Sequence, residues 1–136
     1  MAASDWTAKL NADPEPVVQR MPAMRAGMKK GDLVLLPSAR LVDDFIRAIP
    51  RGKGVSLLDM RARLARRHKT AGTCPVYLGY RLRTVAEAAL EALDRGATLN
   101  QITPIWRVLD EKALTMKKLS AARVALILER RRKERI

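Results

Sequence analysis

Ser56-Leu-Leu-Asp-Met-Arg-Ala-Arg-Leu-Ala-Arg-Arg67, then Thr70-Ala-Gly-Thr-Cys-Pro75, then Tyr77 to Leu93, is the stretch that decides the fold. Ser56 precedes the first apolar residue, with the acid Asp59 three positions on. That is capping-box spacing, with Asp in place of the usual Glu or Gln. Leu57, Met60 and Leu64 then recur at helical spacing on one side, and Arg61, Arg63, Arg66 and Arg67 fall on the other. Thr70–Pro75 breaks the period and reads as a loop. Tyr77–Leu93 restores it, with Val85, Ala88, Ala89, Ala92 and Leu93 inward, Glu87, Glu91 and Asp94 outward, and Gly96 as the stop.

Working outward, Ile49-Pro-Arg-Gly-Lys-Gly54 is a basic turn that stops the preceding helix before Pro50. That helix is capped by Ser38 and carries Leu41, Val42, Phe45, Ile46 and Ile49 on one face. Asp32-Leu-Val-Leu-Leu-Pro37 is a short apolar run that predicts one extended segment. Residues 1–31 hold Pro14, Pro16 and Pro22 and charges of both signs without a persisting period, which predicts an irregular arm. Downstream, Ile102-Thr-Pro-Ile-Trp-Arg-Val-Leu109 is an apolar crossing segment. A last helix spans about Leu119 to Arg131, with Leu119, Val124, Leu126, Ile127 and Leu128 apolar and Arg130-Arg-Arg-Lys133 as a frayed basic end.

The chain has 136 residues, with 27 Lys and Arg against 14 Asp and Glu, for a net charge of +13. That length fits one domain, at roughly 100–200 residues each. The hydrophobic fraction of 48% with 30% charge is that of a globular chain. Aromatics at 4% are too few for a platform of stacked rings. No stretch approaches about 18 apolar residues, so no membrane span is expected. The opening Met1-Ala-Ala-Ser-Asp-Trp6 has neither a basic n-region nor an apolar h-region. Cys74 is the one cysteine and His68 the one histidine, so an internal disulfide is ruled out and no metal or cofactor is expected. The expected location is the cytoplasm. Between Arg47 and Lys69 eight basic residues face one acid, Asp59, and this concentration predicts a nucleic-acid partner.

Three core helices with a basic second one follow the order of a helix-turn-helix. Ile49-Pro-Arg-Gly-Lys53 with Val55-Ser-Leu-Leu-Asp-Met60 resembles the "IPxGKV" turn and "TYGDIA" helix that open the DNA-binding domain of the O6-alkylguanine-DNA alkyltransferases. Arg83-Thr-Val-Ala-Glu-Ala-Ala89 resembles that family's recognition-helix motif "RAVGxAL". Thr103-Pro-Ile-Trp-Arg-Val-Leu109 falls where the family has "IPCHRVV". Lys117-Lys-Leu119 and Glu129 fall at its "GGL" and at the Glu of its last helix. The motifs are colinear over residues 41–131. Thr73-Cys-Pro75 and Thr103–Val108 are most similar to the alkyltransferase-like bacterial variant that carries "TCP" and "TPxWRV".

The resemblance implies a mainly α-helical, winged-helix-like helix-turn-helix domain of the alkyltransferase C-terminal type over residues 38–136. An irregular N-terminal arm, 1–37, would precede it. Tyr77–Leu93 would be the recognition helix, with Arg83 at its head as the wedge that fills the stack when a base is extruded. Resemblance and charge together make Arg51, Lys53, Ser56, Arg61, Arg66, Arg81, Arg83, Thr84 and Arg107 the expected DNA contacts. Ile105, Trp106 and Glu129 would line the pocket.

In the family a Cys attacks the alkyl carbon, and an adjacent His, through water and a Glu, makes it a thiolate. Ile105 and Trp106 stand at those positions and supply neither nucleophile nor base, so no catalytic residue is expected. Leu57 stands for a helix Tyr, and Lys117-Lys118 for the small "GG". Trp106 has three readings: core, a wall that stacks on an extruded base, or a brace for Arg107. The expected function is non-enzymatic binding of double-stranded DNA. Sensing of altered bases is a further implication, although the "PWHR" motif of better-known alkyltransferase-like proteins is missing. Two other classes stay open: an alkyl-accepting or other thiol enzyme using Cys74, activated by Arg81 or a helix N-terminus, and an RNA- or ribosome-binding basic protein.

Overall fold

Helix α1 (Trp6–Ala12), strands β1 (Val17–Arg20) and β2 (Leu33–Leu36), and helices α2 (Ala39–Arg47) and α3 (Leu57–Arg67) lead into strand β3 (Gly72–Thr73). Helix α4 (Pro75–Asp94) follows, then 3-10 turns at Ile105–Arg107 and Leu114–Lys118, and finally α5 (Ala121–Glu134). These elements belong to a computed structural model that describes residues 5–136. The architecture is mainly helical with one small three-stranded sheet. Among the described residues no helix is long and apolar enough to cross a membrane.

Local sequence sets most helix ends. Ser38 caps α2 by accepting from the Leu41 amide at 3.1 Å, and Ser56 caps α3 by accepting from the Asp59 amide at 3.1 Å. The Asp59 carboxylate pairs with Arg63 at 2.8 Å on the same helix. α4 starts at Pro75, two residues before the predicted Tyr77, because a proline in the first turn has no amide to leave unpaired. Gly96 takes φ +105° just past its end, where a left-handed residue lets the Ala97 amide reach the Ala92 carbonyl at 3.0 Å.

The core gathers Val42, Phe45 and Ile46 of α2, Met60 and Leu64 of α3, and Leu78, Leu82, Val85 and Ala89 of α4. Ile102, Ile105, Trp106 and Leu109 of the crossing segment and Ile127 of α5 belong to the same core. Ala92 and Leu93 are only half-buried.

Residues 6–36 do not form the irregular arm that their composition predicts; its first four residues lie outside the described ones. α1 lies along α4, where the Glu91 carboxylate accepts from the Trp6 amide at 3.2 Å and the Thr7 hydroxyl at 3.3 Å. Asp13 accepts from the Ala39 amide and pairs with Arg81 at 3.2 Å, which ties the segment to the start of α2 and to α4. The extended segment predicted at 32–37 is β2. It pairs antiparallel with β1, Val17 opposite Leu36, and parallel with β3, Leu35 opposite Thr73.

Two further expectations change. Glu87 does not point outward: it is buried, with 7% of its surface exposed, and Arg123 of α5 holds it at 2.8 Å. The Arg130–Lys133 run is not a frayed end, since α5 continues through it to a buried Glu134. The connection from α3 to α4, residues 68–74, contains β3 and is longer than the 3–4-residue turn of a simple helix-turn-helix. The hairpin of β1 and β2 follows α1 and precedes the other four helices in the chain.

Candidate nucleic-acid interface

The basic turn after α2 owes its shape to a buried carboxylate. Pro50 ends the helix, and Gly52 takes φ +82°, a conformation glycine adopts without steric cost. The Gly52 amide then donates to Glu134 Oε1 at 2.9 Å. Trp106 Nε1 donates to the other oxygen, Oε2. Arg107 completes the set, donating from Nε to Oε1 at 2.9 Å and from Nη2 to Oε2 at 3.2 Å. Its Nη1 also donates to the Ile49 carbonyl at 2.8 Å, and its own carbonyl accepts from the Val55 amide at 2.8 Å. Burial by itself would raise the Glu134 pKa. The hydrogen bonds from Arg107, Gly52 and Trp106 and the Arg107 charge outweigh it and hold the group down at about 2.

Around this anchor the surface is basic. Arg51 and Lys53 on the turn and Arg66 and Arg67 on α3 are exposed, and none has a carboxylate partner among the described residues. Arg63 beside them pairs with Asp59, and the Arg67 guanidinium rests 5.0 Å from the Phe45 ring centre. One shallow cleft runs among Arg63, Arg66 and Arg67, and a second separates α3 from the turn, rimmed by Lys53, Arg63 and Arg67. On the other side of the turn lies a cavity of ≈ 180 Å³ over Trp106, lined in part by Arg47, Arg51 and Arg130.

The remaining predicted contacts are otherwise engaged. Ser56 uses its hydroxyl as the α3 cap. Arg61 is half-buried, donating to the Thr73 carbonyl at 3.4 Å while its carbonyl accepts from the Thr73 hydroxyl at 2.8 Å. Arg81 pairs with Asp13, donates to the Pro37 carbonyl at 3.2 Å and lies over the Tyr77 ring. Arg83 stands in the middle of α4, not at its head: its guanidinium lies 5.3 Å from the Trp6 ring centre and 3.9 Å from Glu87. Thr84 donates back to the Tyr80 carbonyl at 3.1 Å. Arg107 is closed inside its pair with Glu134. The basic residues of the predicted recognition helix and of the crossing segment thus serve the fold.

The pocket is also rearranged. Ile105 is core, 1% exposed. Trp106, 3% exposed, is core as well and braces Arg107 through the shared Glu134, while the Arg130 guanidinium sits 5.3 Å from its ring centre. Glu129 is not the carboxylate at position 106; it pairs with Arg132 at 2.6 Å on the outer side of α5. Sequence reading missed Glu134, and it read Arg47 and Arg130 as members of basic runs without placing either at a cavity. A signal for Glu134 exists: it stands seven residues after Ile127, on the same helical face as that buried side chain. Cys74 precedes α4 among Met21, Met28 and Val34, and Arg81, its proposed activating charge, is held by Asp13.

Comparison with protein-family models, with curated proteins and with solved structures gives no match. The likeness to the alkyltransferases therefore rests on the motifs quoted above.

Proposed function

We propose that this chain is a non-enzymatic DNA-binding protein that grips the backbone of a duplex with α3 and the Pro50–Gly54 turn. The observation that carries the reading is the group Arg51, Lys53, Arg66 and Arg67, exposed and without carboxylate partners, while Arg81, Arg83 and Arg107 are bound within the fold. Eleven residues make α3 about 16 Å long at 1.5 Å per residue. The major groove of B-DNA, about 12 Å wide, admits such a helix, whereas the deep, narrow groove of A-form RNA does not. Phe45, the ring beside Arg67 on this face, is buried, which argues against single-strand binding by stacking there.

In this reading α3 and α4 are the helix pair of a winged-helix-like domain and β1–β2 its wing, placed before that pair in the chain. The groove-facing role falls to α3 in place of the α4 that the resemblance implies. Ile105 and Trp106 leave alkyl transfer without nucleophile or base. Arg130 over Trp106 argues against an extruded base stacking there, so the proposal is backbone binding and does not extend to altered bases.

Competition among duplex DNA, single-stranded DNA and structured RNA of equal length tests it. The expected order places duplex DNA first. Preference for structured RNA would make the chain an RNA binder and overturn the proposal.

A further inference from the structure

The ≈ 180 Å³ cavity over Trp106 is built from four separate parts of the chain: the end of α2, the Pro50–Gly54 turn, residues 99–107 and α5. We propose that it binds a phosphate group, held by Arg47, Arg51 and Arg130. Each of these side chains has a donor to give. Arg47 engages Asp43 through Nε at 3.1 Å and the Gln101 carbonyl through Nη1 at 3.4 Å, leaving Nη2 without a partner. Arg51 is exposed and has no carboxylate partner among the described residues. Arg130 lines the cavity with its guanidinium over the Trp106 ring and makes no hydrogen bond or ion pair among the described residues, so its terminal nitrogens are available.

Charge points the same way. The lining holds four arginines and one carboxylate, Glu134, already saturated by Arg107, Gly52 and Trp106; with Arg47 paired to Asp43, Arg51 and Arg130 remain as charges without a carboxylate partner among the described residues. The occupant is therefore an anion. Three guanidinium groups arriving from three segments suit a tetrahedral oxyanion, whereas a carboxylate offers two oxygens in one plane. At about 30 Å³ for each water, the cavity holds roughly six waters, room for a phosphate and the start of its ester substituent. Leu99, Ile102 and Pro104 give that substituent an apolar wall. The phosphate comes either free in solution or on a nucleic-acid strand; the cavity lies across the Pro50–Gly54 turn from α3, and Arg51 is the residue that it shares with the duplex-binding face.

The test follows Trp106 fluorescence in a Trp6→Phe chain, which leaves one of the two tryptophans. Inorganic phosphate at constant ionic strength is expected to change the emission saturably. Arg130→Gln and Arg51→Ala should each raise the midpoint roughly tenfold, the loss of one charge-assisted hydrogen bond, and Arg66→Ala should not move it. Arg51 is exposed, so its variant reports on the site even if Arg130→Gln disturbs the packing over Trp106. A 5′-phosphorylated duplex competing better than its unphosphorylated twin assigns the site to strand ends, and equal competition by both assigns it to the backbone. No competition by either assigns it to free phosphate. No saturable response, or a response unchanged in both variants, overturns the proposal. Duplex affinity lost in Arg66→Ala, with no saturable response of Trp106 to phosphate, would show that the α3 reading stands while this one fails.

Discussion

The Gly52 amide donates to Glu134 Oε1 over 2.9 Å, linking the tip of a basic surface turn to the last helical residue of α5. Through the same carboxylate the turn is joined to Trp106 and Arg107, and so to the crossing segment. The bond makes the position of Arg51 and Lys53 a consequence of a group 82 residues away in sequence. Glu134→Ala would leave the half-buried Arg107 guanidinium without its counter-charge, and is expected to lower stability by about 3 kcal/mol, the low end for a buried pair. Urea unfolding followed by circular dichroism measures it. A loss under about 1 kcal/mol would mean that the anchor is dispensable.

Acid should expose the same anchor. The Glu134 pKa in the folded chain, about 2, lies below its ordinary value of 4.5. A carboxylate depressed on folding stabilises the fold above its unfolded pKa, and that contribution fades as pH falls from about 4.5 toward about 2. A shift of this size corresponds to about 3 kcal/mol. The stability gap between the wild type and Glu134→Gln is therefore expected to narrow by about that amount over the same window. A gap independent of pH would show that Glu134 titrates normally in the folded chain.

Salt dependence reads the number of phosphates neutralised. Arg51, Lys53, Arg66 and Arg67 give four contacts, so log K against log[salt] for duplex DNA should fall with a slope of roughly −3.6. Arg61, turned toward Thr73, adds nothing to that count. A slope near zero would remove the electrostatic basis of the interface.

How much was legible in the sequence depends on how local each cause is. The caps at Ser38 and Ser56, the stop at Pro50 and the glycine after α4 are set by neighbours within four residues, and each is readable as written. α1 buries no residue of its own and is held by Glu91, more than 80 positions on. β1 is exposed along its whole length and exists through its ladder to β2, so no apolar alternation announces it. The candidate site divides in the same way. A cluster of arginines is visible in the sequence, but which of them meets a carboxylate is not. Glu87 looks like a solvated residue of an amphipathic helix until Arg123 arrives from α5. Arg81 looks free until Asp13 does.

That difference yields the sharpest comparison between two single charges. Arg66 is exposed on α3 without a carboxylate partner among the described residues, whereas Arg83 on α4 is half-exposed, with Trp6 5.3 Å and Glu87 3.9 Å from its guanidinium. Arg66→Ala is expected to weaken duplex binding and to reduce the salt slope by about one unit, alike for all sequences. Arg83→Ala should leave affinity within about twofold and act on stability, since a cation lying on an aromatic ring contributes ~0.5–1 kcal/mol at a partly exposed site. Fluorescence anisotropy with a labelled duplex separates the two, and thermal unfolding reports the second. A 2-aminopurine placed in the duplex adds an independent readout: a helix that tracks phosphates leaves the base stack closed and the probe dark. If instead Arg83→Ala removes more affinity than Arg66→Ala, and the wild type brightens the probe, then Arg83 leaves Trp6 to enter the stack. The contact surface would then be α4, with α1 as the element that gives way.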